Sequence, residues 1–543
     1  MKKNDIVRVR IESLSNDGNG VSHLDGIPVF VPYSAIGDYL VVRIERVEKS
    51  YCYGRIVEII DPSPDRIPAD CDLFEKCGGC SFRHITYESE LKAKQQFVKD
   101  CINRIGKIDH TVNPILHAEN TDFYRNKAQY PIGSIDSVLV PGFYAPRSHR
   151  LLQFPAPCKL QPEQFHDIAN DICRVLSKYH ISAYDEIAHE GIARHLLIRQ
   201  SSVDSSVLVC LVINSPSLPH SEEIVQEIAD SHKEIKSFSI SVNRNKGNTI
   251  LSPEIHILFG TSAIYDEILG VPVEVTPLSF FQINHSATEL LYSYIKKLID
   301  QNSNCQTIFD LYCGAGTIGL SASSAKQVLY GIEIVEDAIK SAVSSSIRMK
   351  RDNAHFILGD AKKITSLIDQ DIHPDVIITD PPRKGCSVEV LDQLVRSKSR
   401  YLIMVSCNPA TLARDLFYLS QEGYIVKTIQ PFDLFPRTKH VETVVCLSQQ
   451  KPDDHIEIEI DLDEIDATSA ETKATYKEIQ NWVQEHHGFH VTNLNIAQVK
   501  QKHGIIEREN YNKAKSADSK QPGCPEEKVK AIEDAMRHFQ MIP

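Results

Sequence analysis

The chain has 543 residues, of which 42% are hydrophobic and 24% are charged, and its formal net charge is -13 at pH 7. One hydrophobic core cannot organise this length, so we expect about two to four domains. No apolar run approaches the roughly 18 residues of a membrane-spanning helix, and the start lacks the apolar core of a secretory signal. These features favour a cytoplasmic, globular protein without a membrane partner.

The cysteine content and the charge distribution narrow the function further. In a reducing compartment the 14 cysteines are expected to be thiols, and clustered ones favour metal ligation or catalysis. The negative charge argues against a generally basic nucleic-acid binder. Small basic pairs nevertheless occur along the chain: Arg125/Lys127, Arg147/Arg150, Arg383/Lys384 and Arg437/Lys439. The charge is therefore compatible with an RNA substrate.

The first sixty residues alternate apolar and polar side chains in the manner of β-strands. Val7 and Val9 alternate with Arg8 and Arg10, for example, and "NDGNG" at 16–20 supplies hairpin residues. Several short strands within this length predict a small barrel of the oligonucleotide-binding kind. The stretch "DPSPDRIP" at 61–68 then predicts a linker.

The stretch "CDLFEKCGGC" at 71–80 concentrates three cysteines, Cys71, Cys77 and Cys80, and Cys158 in "FPAPCKL" is available as a fourth. Four thiolates bind either a tetrahedral zinc ion or an iron–sulfur cluster. The two glycines before Cys80 would expose backbone N–H groups to the sulfurs, which favours a cluster. The residues alone leave zinc as the alternative.

Residues 86–106 carry an apolar stripe that predicts a helix. The stretch from 107 to about 270 mixes short strands and helices, with one clear strand pair at 195–200 and 206–214. From 286 onward helices and strands alternate, which predicts a largely parallel sheet covered on both faces. The predicted strands are 307–312, 328–333, 355–358, 375–379, 401–405, 424–429 and 441–447.

The tips of the first two of these strands carry the features of a nucleoside site. In "FDLYCGAGTIGL" at 309–320, Gly314 and Gly316 form a turn that a ligand can approach closely at the carboxyl end of a strand. Glu333 ends the next strand, where an acid can accept both ribose hydroxyls. A plain tight turn and a surface glutamate are the alternatives.

Two further acids follow at strand tips. Asp360 in "LGDA" ends the third strand, where it could accept from an adenine amino group, and Asp380 begins "DPP" after the fourth strand. The two prolines stop strand pairing and hold the acid at the cleft, although a structural turn is the alternative. Each signal is weak alone. Together they form the pattern of a nucleoside-dependent methyltransferase.

Cys407 in "VSCNPATL" lies at the tip of the fifth strand, on the same edge as the cofactor turn. An isolated cysteine is usually a buried small residue, but the shared edge and the following Asn-Pro favour a nucleophile. Thiolates add readily to a conjugated carbon such as carbon 6 of a pyrimidine. Glu442 in "RTKHVETVV" lies between apolar residues and could be a general base. A salt bridge to Arg437 or Lys439 is the alternative for Glu442.

Residues 451–543 differ from the rest in composition. The stretch 453–471 holds nine acidic residues and no Lys or Arg, which predicts a solvated tether. Two short helices are predicted beyond it, at 475–488 and 492–504, with a capping box from Thr475 to Glu478 and glycines at both helix ends. This extension provides either an extra contact with RNA or protein, or an accessory bundle without a ligand.

Residues 1–450 resemble the RNA uracil-5-methyltransferase family, specifically its iron–sulfur-containing branch that modifies 23S ribosomal RNA. The resemblance is carried by "CDLFEKCGGC" with Cys158, "FFQIN", "FDLYCGAGTIGL", "GIEI", "TDPPRKG", "VSCNPATLARDL" and "HVETVV". It implies a [4Fe-4S] cluster on Cys71, Cys77, Cys80 and Cys158. It also implies S-adenosylmethionine contacts from Gln282, Tyr312, Glu333 and Asp380, with Cys407 as nucleophile and Glu442 as base. The strand-tip pattern adds Gly314 and Asp360 to the expected cofactor site.

For residues 1–450 the resemblance further implies a multidomain α/β architecture in three parts. These are a TRAM RNA-binding barrel at 1–62, an α+β iron–sulfur domain at 63–270 and a class I (Rossmann-like) methyltransferase domain at 271–450. The acidic tether with its helical extension at 451–543 lies outside the shared pattern and is the fourth part. The 86–106 helix is expected to pack on the catalytic domain, and the protein is expected to be a monomer. Two rival functions remain, a methyltransferase for an amino nitrogen and a non-catalytic RNA-binding factor.

Overall fold

The computed structural model describes residues 1–247, 249–301, 304–364, 372–449, 476–503, 525–539 and 541–542. The chain divides into two compact units, Met1–Asp453 and Asp454–Pro543, and each is described by itself. Within these described ranges, no helix combines the length and the apolar character needed to cross a membrane.

The first sixty residues form a six-stranded sheet in the order β1-β5-β6-β4-β3-β2. Its strands are β1 (Ile6–Arg10), β2 (Ser13–Leu14), β3 (Gly20–Leu24), β4 (Ile27–Val31), β5 (Tyr39–Val47) and β6 (Cys52–Asp61). Apolar side chains from alternate positions, among them Val9, Val29 and Val42, are buried together in one core. The period of two in the sequence is thus the pleat of these strands.

Two helices follow the linker, α1 (Phe74–Cys77) and α2 (Tyr87–Arg104). Helix α2 begins after Thr86, whose side chain accepts a hydrogen bond from the Ser89 N–H. Its apolar face, with Val98 and Ile102, packs into the core of a large sheet that the carboxyl half of the chain builds. Helix α2 therefore packs on a sheet most of whose strands lie about 200 residues or more further along the sequence.

The middle of the chain builds a seven-stranded sheet in the order β10-β9-β8-β11-β12-β13-β14. Its elements are β8 (Lys127–Ile135), β9 (Val138–Tyr144), β10 (Leu151–Gln153), α3 (Gln164–Lys178), β11 (Ala193–Gln200), β12 (Val207–Ile213), α4 (Ser221–Ser231), β13 (Ile235–Val242) and β14 (Ile255–Gly260). The predicted strand pair is confirmed, since β11 and β12 are antiparallel neighbours. Helices α3 and α4 pack on this sheet and complete its core.

A hairpin of β15 (Ile264–Ile268) and β16 (Val271–Val275) connects the middle of the chain to the large sheet. Residue 270, where the sequence places the domain boundary, is the turn of this hairpin. Its buried side chains, such as Ile264 and Val273, share a core with Leu291 of the next helix. The hairpin thus contributes to the apolar core on one face of the large sheet.

The large sheet has eight strands in the order β19-β18-β17-β20-β21-β23-β22-β7. Its strands are β7 (Leu116–His117), β17 (Thr307–Leu311), β18 (Val328–Glu333), β19 (Ala354–Leu358), β20 (Val376–Thr379), β21 (Tyr401–Ser406), β22 (Tyr424–Asp433) and β23 (Glu442–Gln449). Strands β17 to β21 are parallel, whereas β23 is antiparallel to both of its neighbours. All seven strands predicted from 307 onward are present. Strand β7, which comes from residues before the middle sheet, was not predicted.

Helices cover both faces of this sheet. They are α5 (His285–Asp300), α6 (Thr317–Ala322), α7 (Glu336–Arg348), α8 (Val388–Arg396) and α9 (Pro409–Gln421), with a short 3₁₀ turn at Ala361–Lys363. Two separate apolar cores lie on the two faces, one including Ile308 and Ile378 and the other including Phe309 and Ile377. The alternation of helix and strand in the sequence therefore gives the doubly covered sheet that was expected.

The described residues of the second unit form three helices, α10 (Tyr476–His487), α11 (Asn493–Lys502) and α12 (Glu526–His538). Their apolar faces form a small core of their own that includes Ile479, Val499 and Ile532. The first two helices were predicted and the third was not. The capping residue Thr475, Gly504 and the acidic stretch 453–471 lie outside the described residues, whereas Gly488 follows α10 with a φ of 77°.

Candidate active site

The parallel strands of the large sheet end along one edge. The register pairs Leu311 with Ile332 of β18 and with Thr379 of β20, and it pairs Thr379 with Met404 of β21. The residues just beyond these strands must therefore lie side by side. Predicted site residues that lie at or just beyond this edge are Tyr312, Gly314, Glu333, Asp380 and Cys407.

The glycine turn and Glu333 form one hydrogen-bonded unit. The Gly314 N–H donates to Glu333 Oε2 at 3.2 Å, while Glu333 Oε1 accepts from the N–H groups of Ile334 and Val335 at 2.8 and 3.0 Å. Gly316 has a φ of 76°, and a Cβ there would lie 2.8 Å from a ring carbon of a neighbouring side chain. The turn thus requires glycine, and the backbone fixes the orientation of the carboxylate.

The remaining predicted cofactor residues border this turn. Asp360 follows β19, and its Oδ1 accepts from the Lys362 N–H at 3.0 Å. Tyr312 is half-buried with a φ of 63°, an unusual value for a residue other than glycine. Gln282 precedes α5, and its backbone carbonyl accepts from Asn126 Nδ2 at 2.9 Å. The middle sheet therefore holds the segment that carries Gln282.

Cys407 and Glu442 are brought together by strand register. Strands β21 and β23 are antiparallel, and their last pair joins Ser406 to Thr443. Cys407 directly follows Ser406 and Glu442 directly precedes Thr443, so these two residues lie opposite each other at the end of the strand pair. Glu442 is only 8% exposed, whereas Cys407 is half-buried and accessible. A thiol and a buried carboxyl group thus share the cleft that the cofactor turn borders.

Burial and neighbouring charges shift the pKa values of all three cleft acids upward. Burial, and secondarily the Glu442 and Asp380 carboxylates, raise the pKa of Cys407 to about 11, while the Arg383 guanidinium opposes this shift. Burial together with Asp380 raises the pKa of Glu442 to about 8, and burial raises that of Asp380 to about 7. A cation bound in this cleft would favour the ionised form of each group.

The four cysteines expected to bind a metal or cluster line one cavity of about 430 Å³. Among its other lining residues are the cationic Arg83 and Arg125. Burial raises the pKa of the Cys77, Cys80 and Cys158 thiols, that of Cys80 to about 11, and other cysteines of the set add to each shift. Both guanidiniums favour the ionised thiolate at Cys80. The cavity thus combines four soft ligands with positive charge.

The four thiols of this cavity are the donors that both of its expected occupants take. A zinc ion in such a site is bound by four thiolates, and a [4Fe-4S] cluster by one thiolate for each iron. In the part of the chain that the structure describes, no three His, Cys, Asp or Glu side chains converge as the ligands of a single metal ion. The donor chemistry therefore fits either occupant.

Comparison with known proteins identifies the family to which the sheet and its site belong. A family model described as tRNA (Uracil-5-)-methyltransferase matches residues 271–450, and a TRAM domain model matches residues 2–57. A protein of Clostridium tetani named as an uncharacterized RNA methyltransferase is 37% identical over 449 residues, which are 82% of this chain and 97% of that protein. The chain belongs to the RNA uracil-5-methyltransferase family. A similarly named protein of Halalkalibacterium halodurans is also 37% identical, over 82% of this chain and 98% of its own.

A solved structure extends this family assignment to the fold. The crystal structure of the Pyrococcus abyssi tRNA (uracil-54, C5)-methyltransferase, in complex with S-adenosyl-L-homocysteine, superimposes with a TM-score of 0.65. It is 25% identical and covers 81% of this chain and 100% of its own. The enzyme is thus an S-adenosylmethionine-dependent RNA methyltransferase with an N-terminal TRAM domain and a Rossmann-like catalytic fold.

The sequence analysis did not predict two residues of this methyltransferase site, Asp310 and Arg383, although Arg383 belongs to one of the basic pairs. Asp310 is fully buried, burial raises its pKa to about 8, and its Oδ2 accepts from the Gly319 N–H at 2.9 Å. An acid within an apolar strand was the available signal. Arg383 Nη2 lies 3.5 Å from His440 Nδ1, and its carbonyl accepts from Asn408 Nδ2 at 3.1 Å. Only the fold shows that this arginine belongs to the cleft.

Proposed function

We propose that this enzyme methylates carbon 5 of uridine in RNA, with Cys407 as the nucleophile and Glu442 as the general base. The observation that supports the proposal is their register. An accessible thiol and a buried carboxyl group face each other at the sheet edge that also carries the glycine turn. A methyltransferase for an amino nitrogen would need neither group.

In the first step the Cys407 thiol loses its proton, and its sulfur bonds to carbon 6 of the uracil. The electron pair of the double bond between carbons 5 and 6 then makes carbon 5 nucleophilic. S-Adenosylmethionine supplies a methyl group from its sulfonium to carbon 5, and S-adenosylhomocysteine is left. Burial raises the pKa of the Cys407 thiol above its ordinary value. The positive charge of the bound cofactor would lower this pKa and so favour the thiolate.

In the second step Glu442 removes the proton that remains on carbon 5. The freed electron pair restores the double bond between carbons 5 and 6 and expels the Cys407 thiolate. A base with a pKa near the working pH is efficient in such a transfer, and burial raises the pKa of Glu442 into that range. The product is 5-methyluridine, and Cys407 is regenerated.

We propose that the cofactor lies along the glycine turn. Glu333 would accept from the ribose hydroxyls, because backbone N–H groups already fix its orientation. Asp360 would accept from the adenine amino group, while Asp380 would contact the methionine part or the substrate. The other residues proposed to line this site are Gln282, Tyr312 and Gly314.

We propose 23S ribosomal RNA as the substrate, because the motifs resemble that branch of the family. The relative of known structure with a TM-score of 0.65 acts on transfer RNA, which makes transfer RNA the second candidate. In either case the target base must leave its stack to reach Cys407, so we expect base flipping from an RNA loop. The TRAM domain at 2–57 would bind flanking RNA.

We propose that Cys71, Cys77, Cys80 and Cys158 hold a [4Fe-4S] cluster. The cavity volume, the four thiols and the two facing guanidiniums support this occupant, since a thiolate-ligated cluster is anionic. The cluster would stabilise the segment that carries Cys71 to Cys80. Zinc remains the alternative occupant.

The chemistry is tested with RNA that contains 5-fluorouridine. Fluorine blocks removal of a proton from carbon 5, so the wild-type enzyme should be trapped as a covalent RNA adduct on a denaturing gel. Cys407→Ala should form no adduct, whereas Cys173→Ala, which removes a buried thiol of α3, should form it normally. A full-strength adduct in Cys407→Ala would overturn the assignment. Cys407→Ser should lose methyl transfer but keep RNA affinity, which a non-catalytic RNA-binding factor would not show.

The substrate is identified by mapping 5-methyluridine in ribosomal and transfer RNA from a strain that lacks the gene. Loss of a 5-methyluridine from 23S ribosomal RNA supports the proposal. Loss from transfer RNA alone would replace it with the second candidate. Unchanged 5-methyluridine in both pools would reject both substrates.

The cluster is tested by metal analysis of protein purified without oxygen. We expect about four irons per chain and broad visible absorbance that oxidation abolishes. Cys80→Ser should lower the iron content, and the buried cysteine variant Cys173→Ser should not. Stoichiometric zinc without iron would show that the alternative occupant is correct.

We further propose that the enzyme is a monomer and that residues 451–543 add a contact with RNA or protein. The support is that this segment contains a separate compact unit with its own core. Light scattering would give the oligomeric state. RNA affinity measured with and without residues 454–543 would test the contact, and equal affinity would exclude an RNA contact.

A further inference from the structure

The loop from 434 to 441, named here the base loop, joins β22 to β23 and leads directly into Glu442. Four consecutive backbone carbonyls in it accept hydrogen bonds from four separate parts of the chain. The pairs are Asn284 Nδ2 to Leu434 O (2.9 Å), Lys94 Nζ to Phe435 O (3.1 Å), Tyr124 Oη to Pro436 O (3.0 Å), and the N–H groups of Ser81 and Phe82 to Arg437 O (2.8 and 3.2 Å). Three of these four parts precede the residues that match the methyltransferase family model.

The base loop holds a strained backbone. Arg437 has a φ of 67°, a left-handed value that a side chain with a Cβ disfavours. Such a conformation persists only where the surroundings hold it in place. They do so on both sides, because the Arg437 N–H donates to Glu90 Oε1 at 2.7 Å while its carbonyl accepts from Ser81 and Phe82. The path of the loop is therefore set by its partners.

Lys94 of α2 is the central partner. Its ammonium group is fully buried and donates to Glu90 Oε1 and Asp433 Oδ1, both at 2.7 Å, in addition to Phe435 O. Asp433 is the last residue of β22, and the residue before it, Phe432, is paired with Glu442. Lys94 thus holds both the strand end opposite Glu442 and the loop that leads to it.

Tyr124 is the second partner from outside the catalytic segment. Its ring is buried, and its hydroxyl group donates to the carbonyl of Pro436, in the middle of the base loop. This hydrogen bond can be removed without changing the ring. The variant Tyr124→Phe therefore loses one oxygen atom and this contact, and it keeps the buried ring.

We propose that Lys94 and Tyr124 are positioning residues for Glu442, which they align through the base loop. This inference rests on the proposed function, in which Glu442 removes the proton from carbon 5. Proton transfer requires the carboxylate within hydrogen-bonding reach of that carbon, and a displacement of about 1 Å can slow a reaction by about 100-fold. The parts of the chain before residue 271 would then complete the catalytic machinery as well as bind RNA.

The experiment separates the two chemical steps in the full-length enzyme with unmodified RNA. Rapid quenching and a denaturing gel follow formation of the covalent adduct and its decay in wild type, Tyr124→Phe and Lys94→Met. The matched control is Tyr424→Phe, another buried tyrosine, whose hydroxyl donates to Ser399 O at 3.0 Å at the end of β22 away from the base loop. Adduct formation should change by less than about twofold, and decay should slow by about tenfold in Tyr124→Phe and more in Lys94→Met. The control should change neither rate.

Equal decay rates in Tyr124→Phe and Tyr424→Phe would overturn the inference. A parallel loss of formation and decay would also overturn it, because that pattern indicates general destabilisation. If Lys94→Met does not fold, Tyr124→Phe decides the question alone. A wild-type enzyme that forms no adduct even with RNA containing 5-fluorouridine would instead refute the proposed function, so the two failures are distinguishable.

Discussion

The pH dependence of adduct decay follows directly from the environment of Glu442. Burial, with a further contribution from Asp380, raises the pKa of this carboxyl group to about 8, against the opposing effect of Arg383. A base must be ionised to accept a proton, and about one-tenth of Glu442 would be ionised at pH 7 and about one-hundredth at pH 6. Decay should therefore rise about tenfold per pH unit and level off above about pH 8.

A pH-jump experiment measures this dependence without interference from the thiol. The adduct is formed at one pH with unmodified RNA and then diluted into buffers between about pH 6 and 9.5, where its disappearance is followed on a denaturing gel. Formation requires the Cys407 thiolate, but decay after the jump does not. Glu442→Gln provides the control, because its adduct should persist and show no such pH dependence.

A decay rate that stays constant from about pH 6 to 9 would refute this reasoning. It would mean either that Glu442 titrates near the ordinary glutamate pKa of about 4.5, so that burial does not act as described, or that another group is the base. The Glu442→Gln result separates these two explanations. Rapid decay in that variant would identify another base.

Three further predictions concern the cofactor site and the sheet. A cationic analogue of S-adenosylmethionine such as sinefungin should speed alkylation of Cys407 by about tenfold relative to neutral S-adenosylhomocysteine. The reason is that a nearby positive charge lowers the pKa of the thiol from about 11. Alkylation is followed by mass spectrometry of the Cys407 peptide, and equal rates with the two ligands would contradict this prediction. Glu333→Gln should weaken S-adenosylhomocysteine binding by about tenfold in calorimetry, since a charged acceptor is lost, and unchanged affinity would remove Glu333 from the site. Gly331→Ala should destabilise the protein by about 1–3 kcal/mol in urea unfolding, because the new Cβ would lie 2.4 Å from Phe356 Cδ1. An unchanged midpoint would show that the ring can move freely.

The contacts between separate parts of the chain give the active site its shape. The Arg125 backbone bridges to Asn284, and the Asn126 side chain holds the carbonyl of Gln282. Helix α2 packs on the catalytic sheet, and β7 adds a strand to it. The segment that matches the catalytic family model is thus supported by residues that precede it, which is why variants outside that segment are expected to affect the chemistry.

Much of this arrangement could be predicted from the sequence because it depends on local pattern. The period of two in the first sixty residues, the helix–strand alternation after residue 286 and the glycine turn before α6 each determine their own backbone geometry. Parallel strands must end on a common edge, so the neighbourhood of Gly314, Glu333, Asp380 and Cys407 followed from their places at strand tips. Short motifs at these strand tips also carry the resemblance to the family.

What only the tertiary structure decided involves contacts between distant residues. The pairing of Ser406 with Thr443, which sets Cys407 opposite Glu442, depends on the register of two antiparallel strands. The upward pKa shifts depend on how deeply each group is buried. The base loop carries no pattern that reveals its partners, because backbone carbonyls are the same at every residue and their donors lie up to about 350 positions away. Local periodicity determines which element forms, whereas packing alone determines what holds it in place.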